Sequence, residues 1–224
     1  AVSRGLSGNL YFGANLEFAG EALSFAVHAE QSAVANAWSH GEEGIDLIAT
    51  SAPPCGYCRQ FLNELSTASR LGILTTQGTT PLAELLPGSF GPHDLGIEAG
   101  LMAKIDHGLS IEADDELARE ALAAANRSHA PYSKSFAGVA VRTRNGLVAA
   151  GAYGENAAFN PSLSPLQAAL SNLNLLGGRF EEIADAVLVH VDPLHTAVTR
   201  TVLASVCDAP LRLVLARNSD RRPS

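Results

Sequence analysis

The 224-residue chain carries one short plan twice, and this repeat restricts it to folds that a hairpin, a helix and a buried strand can build in tandem. In the first half, Ala1 to Phe18 alternates small and apolar residues around Gly8-Asn9, as two strands joined by a tight turn do. His28 to His40 carries Ala, Val and Trp at helical spacing, Ile45 to Thr50 is a short buried-strand run, Cys55 to Leu65 is helical again, and Ile73 to Thr76 is a further strand. The second half shows a hairpin over Gly138 to Ala152 around Asn145-Gly146, a helix over Pro165 to Leu176 and a strand over Ala186 to Val191; Thr196 to Ala204 and Leu211 to Ala216 complete it. The match is also literal. Gly13-Ala14-Asn15-Leu16-Glu17-Phe18 aligns with Gly154-Glu155-Asn156-Ala157-Ala158-Phe159, and Gln31-Ser32-Ala33-Val34 with Gln167-Ala168-Ala169-Leu170. Helices interleaved with short strands in this order predict α/β units in which helices pack on a mixed sheet.

The expected division is a first domain over 1–92, a linker over 93–112 and a second domain over 113–224. A Gly- and Pro-rich stretch, PGSFGPHDLG, marks the join, and Asp114 or Asp115 is placed to cap a helix over Glu116 to Asn126. The second copy has that helix and the segment SHAPYSKSFAG ahead of its hairpin, whereas the first copy starts inside its hairpin. The comparison leads to the expectation that an N-terminal piece of the first domain is missing from this chain.

Charge narrows the partners. Fifteen Lys and Arg against 23 Asp and Glu give a formal charge of -8, which repels a phosphate backbone unless positive charge is clustered. The longest basic grouping, Arg217 with Arg221 and Arg222, reads as a solvated terminus, so no nucleic-acid partner is expected. The chain has no run of about 20 apolar residues, and its first residues lack the layout of a secretion signal. No membrane partner and a cytoplasmic location are the expectation. Three cysteines, two of them in Pro54-Cys55-Gly56-Tyr57-Cys58, point in a reducing compartment to metal or redox chemistry rather than a disulfide scaffold.

His28-Ala29-Glu30, followed after a spacer by Pro54-Cys55-Gly56-Tyr57-Cys58, matches the H-x-E and P-C-x-x-C signature of zinc nucleoside and base deaminases. A catalytic zinc needs three protein ligands and an open position for water, and one imidazole with two thiolates leaves such a site neutral. Cys-x-x-Cys at the start of a helix directs both sulfurs to one metal, and the helix dipole favours their thiolate forms. His28, Cys55 and Cys58 are therefore the candidate ligands of one Zn2+ per chain. Residues two apart on a helix point to nearly opposite sides, so Glu30 is a candidate proton shuttle rather than a fourth ligand. Arg59 is expected to donate hydrogen bonds to the sulfurs.

Each residue also has a plainer reading. A lone histidine before an apolar helix is commonly a cap, and Cys-x-x-Cys alone also suits a thioredoxin-type redox pair. A structural four-cysteine zinc knot needs a second pair, but the remaining cysteine, Cys207, is isolated and reads as a core thiol. The other six histidines, His40, His93, His107, His129, His190 and His195, read as surface or core polar residues. In the repeat, the position of His28 falls near Ser164 and that of Glu30 near Leu166, so the second copy is expected to be degenerate and without zinc.

Beyond the signature, the runs YFGANLEF, HAEQSAVANAW, PCGYCRQFLNEL, FGPHDLG, AANRSHAPYSKS and GENAAFNPSLSPLQAAL resemble the two-domain bacterial cytidine deaminases over nearly the whole chain. The resemblance implies two tandem three-layer α/β/α domains, each a mixed sheet flanked by helices. It implies hydrolytic deamination of cytidine and 2'-deoxycytidine in pyrimidine salvage, through attack of zinc-activated water on C4, with a small-molecule nucleoside as substrate. It also implies a homodimer with sites near the subunit interface. Asn15, Leu16 and Glu17 would bind the ribose, Ala29 and the carbonyl near Pro53 would read the base, and Phe90 with the Ala157-Ala158-Phe159 turn would reach across to the other subunit's site. Rival readings are a zinc-stabilised nucleoside-binding protein with impaired catalysis and a deaminase acting on a nucleic-acid cytosine.

Overall fold

The computed structural model describes residues 1–218 and resolves into two compact units; Arg221 and Arg222 of the expected basic terminus lie outside the described residues. One unit comprises residues 1–16, 27–104 and 155–163, and the other 17–26, 105–154 and 164–224. Neither is a continuous stretch of chain. Each takes in a short segment of the opposite half.

The first unit begins with the hairpin of β1 (Val2–Gly5) and β2 (Leu10–Phe12), whose turn uses Gly8 at φ 89. There follow α1 (Ala29–Ser39), β3 (Ile45–Ala49), α2 (Gly56–Leu62), β4 (Gly72–Thr75), β5 (Gly78–Pro81) and a single helical turn, α3 (Leu82–Leu85). The sheet runs β2-β1-β3-β4-β5, with β3 and β4 parallel and the remaining pairs antiparallel. It is mixed because β3 returns to β4 through α2, a crossover, while its other connections are hairpins or antiparallel neighbours. The strand of the expected hairpin ends at Phe12 rather than Phe18, and α2 stops at Leu62 rather than Leu65. Asn63 caps α2 with its amide bonded to Arg59 O, and Leu65 turns away to pair with Leu101.

The second unit holds the short pair β6 (Leu109–Ser110) and β11 (Arg217–Asn218), together with α4 (Glu116–Asn126), β7 (Ala137–Thr143), β8 (Val148–Ala152), α5 (Pro165–Leu175), β9 (Ile183–His190), α6 (Thr196–Val206) and β10 (Leu211–Leu215). Its sheet runs β10-β9-β7-β8, with β9 and β10 parallel through α6. Three layers follow from the pleat. Gly138 on β7 faces α4, where a Cβ would meet Ala121 O and Ala125 N, and Ala140, Val187 and Val189 on that face pack with Leu117, Ala118 and Ala121. Gly151 on β8, paired with Val139, faces α5, where a Cβ would meet Pro165 O and Ala169 N. Neighbouring residues of a strand point to opposite faces, so α4 and α5 sandwich the sheet. Cys207 is half-buried at the end of α6 rather than deep in the core; its thiol reaches Leu203 O at 3.7 Å.

The packing corrects the register of the repeat. In the first unit Gly13 lies against Ala29 O and Ala33 N of α1, and the Asn36 amide donates to Phe12 O at 2.9 Å. In the second, Gly151 holds the matching place against α5, and Asn172 donates to Ala150 O at 2.8 Å. The counterpart of Gly13 is therefore Gly151, not Gly154, and Asn15 corresponds in the repeat to Tyr153. The literal match of GANLEF with GENAAF was a chance shift along a loop, because close backbone approach to the helix fixes where the glycine must sit.

Candidate metal centre and active site

Two helix beginnings in the first unit bring the signature residues together. His28 is the N-cap of α1, held in an extended backbone while its amide donates to Gln31 Oε1 at 3.2 Å. Cys55 is the N-cap of α2, and its sulfur accepts the Cys58 amide at 3.5 Å. His28 and Cys55 thus sit where a helix leaves its first amides unpaired, an environment that favours anionic sulfur at Cys55.

The His28 Nδ1 lies 3.6 Å from the Cys55 sulfur and 3.2 Å from the Cys58 sulfur. All three donor atoms fall within 4.8 Å of one another, the one such group of metal-type ligands among the described residues. A tetrahedral zinc with Zn–N near 2.0 Å and Zn–S near 2.3 Å sets its nitrogen and sulfur about 3.5 Å apart. The donor set fits zinc on both chemistry and spacing. Cys58 is wholly buried, and burial first, then the charges of Glu30 and Cys55, push its thiol well above the ordinary range. A bound dication supplies the missing counter-charge and would reverse that shift.

Glu30, in the first turn of α1, lines the same cavity as His28 and Cys55 without being one of the three members of the donor set. The cavity, of about 230 Å³, is walled by Ala1, His28, Ala29, Glu30, Thr50 and the Ser51-to-Pro53 loop with Cys55. Asn15, Leu16, Glu17 and Phe90 do not line it. Leu16 is nevertheless bridged to Val27, the residue before His28, by two hydrogen bonds of 2.9 Å. Asn15 and Glu17 are exposed, and Phe90 is 47% exposed while its carbonyl accepts from Gln60 and Asn63.

Arg59 departs from expectation. Its guanidinium donates to Pro54 O and to Leu85 O, both at 2.8 Å, and not to the sulfurs. A long helical side chain points back toward the helix start, which carries Arg59 to the carbonyl just ahead of Cys55. Several residues at the site gave no signal in the sequence. The Thr50 hydroxyl is buried in the cavity wall without a hydrogen-bond partner. Tyr57 stacks on His28, and Gln31 and Tyr57 bond to Pro161 O and Asn160 O in the 155–163 segment of this unit. In the second unit, Ser164 N-caps α5 with Gln167 as its partner, so the place of a ligand histidine is filled by an ordinary cap.

One imidazole and two sulfurs, a set that a zinc ion would make neutral, with a carboxyl residue in the same cavity wall on a mixed α/β domain, is the class of site that supports hydrolytic zinc chemistry. Profiles of the cytidine and deoxycytidylate deaminase zinc-binding region match residues 4–73 and 82–202. A cytidine deaminase of Vibrio vulnificus is 53% identical over 210 residues, 92% of this chain and 71% of the relative, and one of Photobacterium profundum is 51% identical over 221 residues, 96% and 75%. A solved cytidine deaminase from Burkholderia pseudomallei is 25% identical over 47% of this chain and 90% of its own, with a TM-score of 0.40. The chain belongs to the cytidine and deoxycytidylate deaminase family, as a tandem pair of its domains.

Proposed function

We infer that this chain is an enzyme that hydrolyses cytidine and 2'-deoxycytidine to uridine and 2'-deoxyuridine with release of ammonia. The observation that carries the reading is the convergence of His28 Nδ1 with the Cys55 and Cys58 sulfurs at tetrahedral spacing beside Glu30. His28, Cys55 and Cys58 would hold the zinc. Bound there, the metal supplies a water acidified enough to lose a proton near neutral pH.

Glu30 is assigned the proton traffic. It takes a proton from the attacking water and delivers it to N3 of the base, which makes C4 electrophilic as the water oxygen bonds to it. It then takes the remaining hydroxyl proton and passes it to the amino group, the C4–N bond breaks, ammonia leaves and C4 becomes the carbonyl of uracil. Ala29 and Pro53 line that cavity, and by family resemblance we assign the Ala29 amide and the carbonyl near Pro53 to reading the base edge. We assign Asn15, Leu16 and Glu17 to the ribose and Phe90 to the base by family resemblance. On the same footing the enzyme is a cytoplasmic homodimer of pyrimidine salvage. Among the described residues no helix is long and apolar enough to cross a membrane.

Glu30→Gln tests the assignment. The variant should keep one zinc per chain while ammonia release from cytidine falls by at least about a hundredfold, the scale of a lost general acid–base. Uridine production near the wild-type rate would remove Glu30 from the mechanism.

A further inference from the structure

His28 meets both sulfurs through Nδ1, and among the described residues no protein group accepts a hydrogen bond from its other ring nitrogen. A metal-binding imidazole ordinarily has that second N–H tied to a carboxylate or carbonyl, which fixes the plane of the ring. Here the ring lies instead against Tyr57, with centroids 5.2 Å apart and planes 26° from parallel. The tyrosine sits between the two sulfur residues in sequence, and its hydroxyl donates to Asn160 O at 2.8 Å.

That acceptor is itself rigidly placed. Asn160 follows Phe159, a bulky residue held at φ 62, in a turn closed by Phe159 N to Asn156 O at 2.9 Å and Ser162 N to Phe159 O at 3.0 Å. A side chain tolerates that backbone only where its surroundings over-determine it. They do so here. The Asn156 amide donates to Gln60 O at 3.0 Å, Ala157 N donates to Glu64 Oε2 at 2.9 Å, and Gln31, next to Glu30, donates to Pro161 O at 3.3 Å.

We propose that Tyr57 is a positioning residue of the metal centre: its ring, pinned through Asn160 O, sets the plane of the His28 imidazole and so aims Nδ1 at the ion. The stack does the work that a hydrogen bond to the second imidazole nitrogen does elsewhere. The proposal rests on the zinc reading of His28, Cys55 and Cys58. It goes beyond that reading in naming what orients the histidine.

The test compares the chain with its Tyr57→Phe, Tyr57→Ala and Tyr57→Leu variants, reading zinc affinity by chelator competition and the visible absorption of the cobalt-substituted forms. Tyr57→Ala should lose about tenfold in zinc affinity, the lower end of what removing an orienting partner costs. Its cobalt bands should shift in position or intensity as the imidazole tilts. Tyr57→Phe keeps the stacked ring but loses the anchor to Asn160 O, and should fall between wild type and Tyr57→Ala in both affinity and spectrum. Tyr57→Leu, which keeps bulk without a ring face, should behave as Tyr57→Ala and serves in its place if that variant does not fold. Wild-type affinity and an unchanged cobalt spectrum in Tyr57→Leu would overturn the role of Tyr57 alone. Failure of the wild-type chain to bind zinc or cobalt would overturn the metal reading with it.

Discussion

Glu42 is a buried carboxylate for which the chemistry has no use, and its surroundings explain why it is tolerated. It is 7% exposed, and its oxygens accept from the Ser7 hydroxyl, from Ser7 N at 3.3 Å and from the Tyr11 hydroxyl at 2.9 Å, tying the β1–β2 turn to the loop after α1. Burial alone would raise its pKa, but the hydrogen bonds from Ser7 and Tyr11 outweigh burial and hold it below the ordinary carboxylate value. A lowered pKa in the folded state gives stability that is present above the unfolded value, near 4.3, and lost as pH falls through the folded one. Glu42→Gln should therefore destabilise the chain by about 1–3 kcal/mol at pH 7, with the gap from wild type narrowing below about pH 4. Urea unfolding at a series of pH values measures this, and a gap that stays constant down to pH 3 would refute it. Glu42 and Tyr57 were invisible in the sequence because their partners come from segments that only folding brings near. The grouping of His28, Cys55 and Cys58 was legible because three ligands of one metal leave a characteristic spacing in the sequence. Arg59 was misjudged for a geometric reason: its direction along α2 sends it to carbonyls rather than to sulfur.

At the scale of elements, α4 shows how one side chain sets a helix start. Asp115 Oδ1 accepts the Ala118 amide at 3.0 Å, and the same carboxylate takes both Arg212 nitrogens from β10, Nη2 at 2.8 Å from Oδ1. Arg212 first, then the Ala118 amide, holds the Asp115 carboxyl well below its usual range. The pair is about two-fifths exposed, so the charge interaction itself adds only about 0.2–1 kcal/mol, whereas the lost cap costs about 1 kcal/mol. Asp115→Ala should lower stability more than Asp115→Asn, which keeps a capping oxygen. The gap between Asn and wild type should shrink in high salt and as pH falls below the ordinary carboxylate range. Equal melting temperatures for the two variants would exclude the cap as the larger effect. This helix could be placed to the residue in the sequence because cap and periodicity agree over Glu116–Asn126. The edge strand β5 and the turn α3 could not, since Gly78-Thr79-Thr80-Pro81 is polar and carries a proline, marks of a loop that an edge position tolerates.

Across the whole molecule, the duplicated plan of hairpin, helix and strand was readable, because each copy must hide its own apolar faces. The interleaving was not. No local pattern says that residues 155–163 belong with the metal-site unit while 17–26 belong with the other, since such loops are chosen by which surface accepts them. The consequence is that the first unit has no continuous gene fragment of its own. Residues 1–104 expressed alone would lack the Ala157 N–H that the buried Glu64 accepts, the Pro161 carbonyl that Gln31 reaches and the Asn160 carbonyl that anchors Tyr57. Glu64 and Gln31 are buried, and a buried polar group stripped of a partner costs about 1–3 kcal/mol, so these two losses alone, before the half-exposed Tyr57 loses its anchor, are a large fraction of the stability of a small domain. The fragment should therefore show no cooperative thermal transition and should not retain zinc through gel filtration, whereas the full chain does both. A fragment that melts cooperatively and elutes with one zinc would mean that the 155–163 segment is dispensable to the unit it joins.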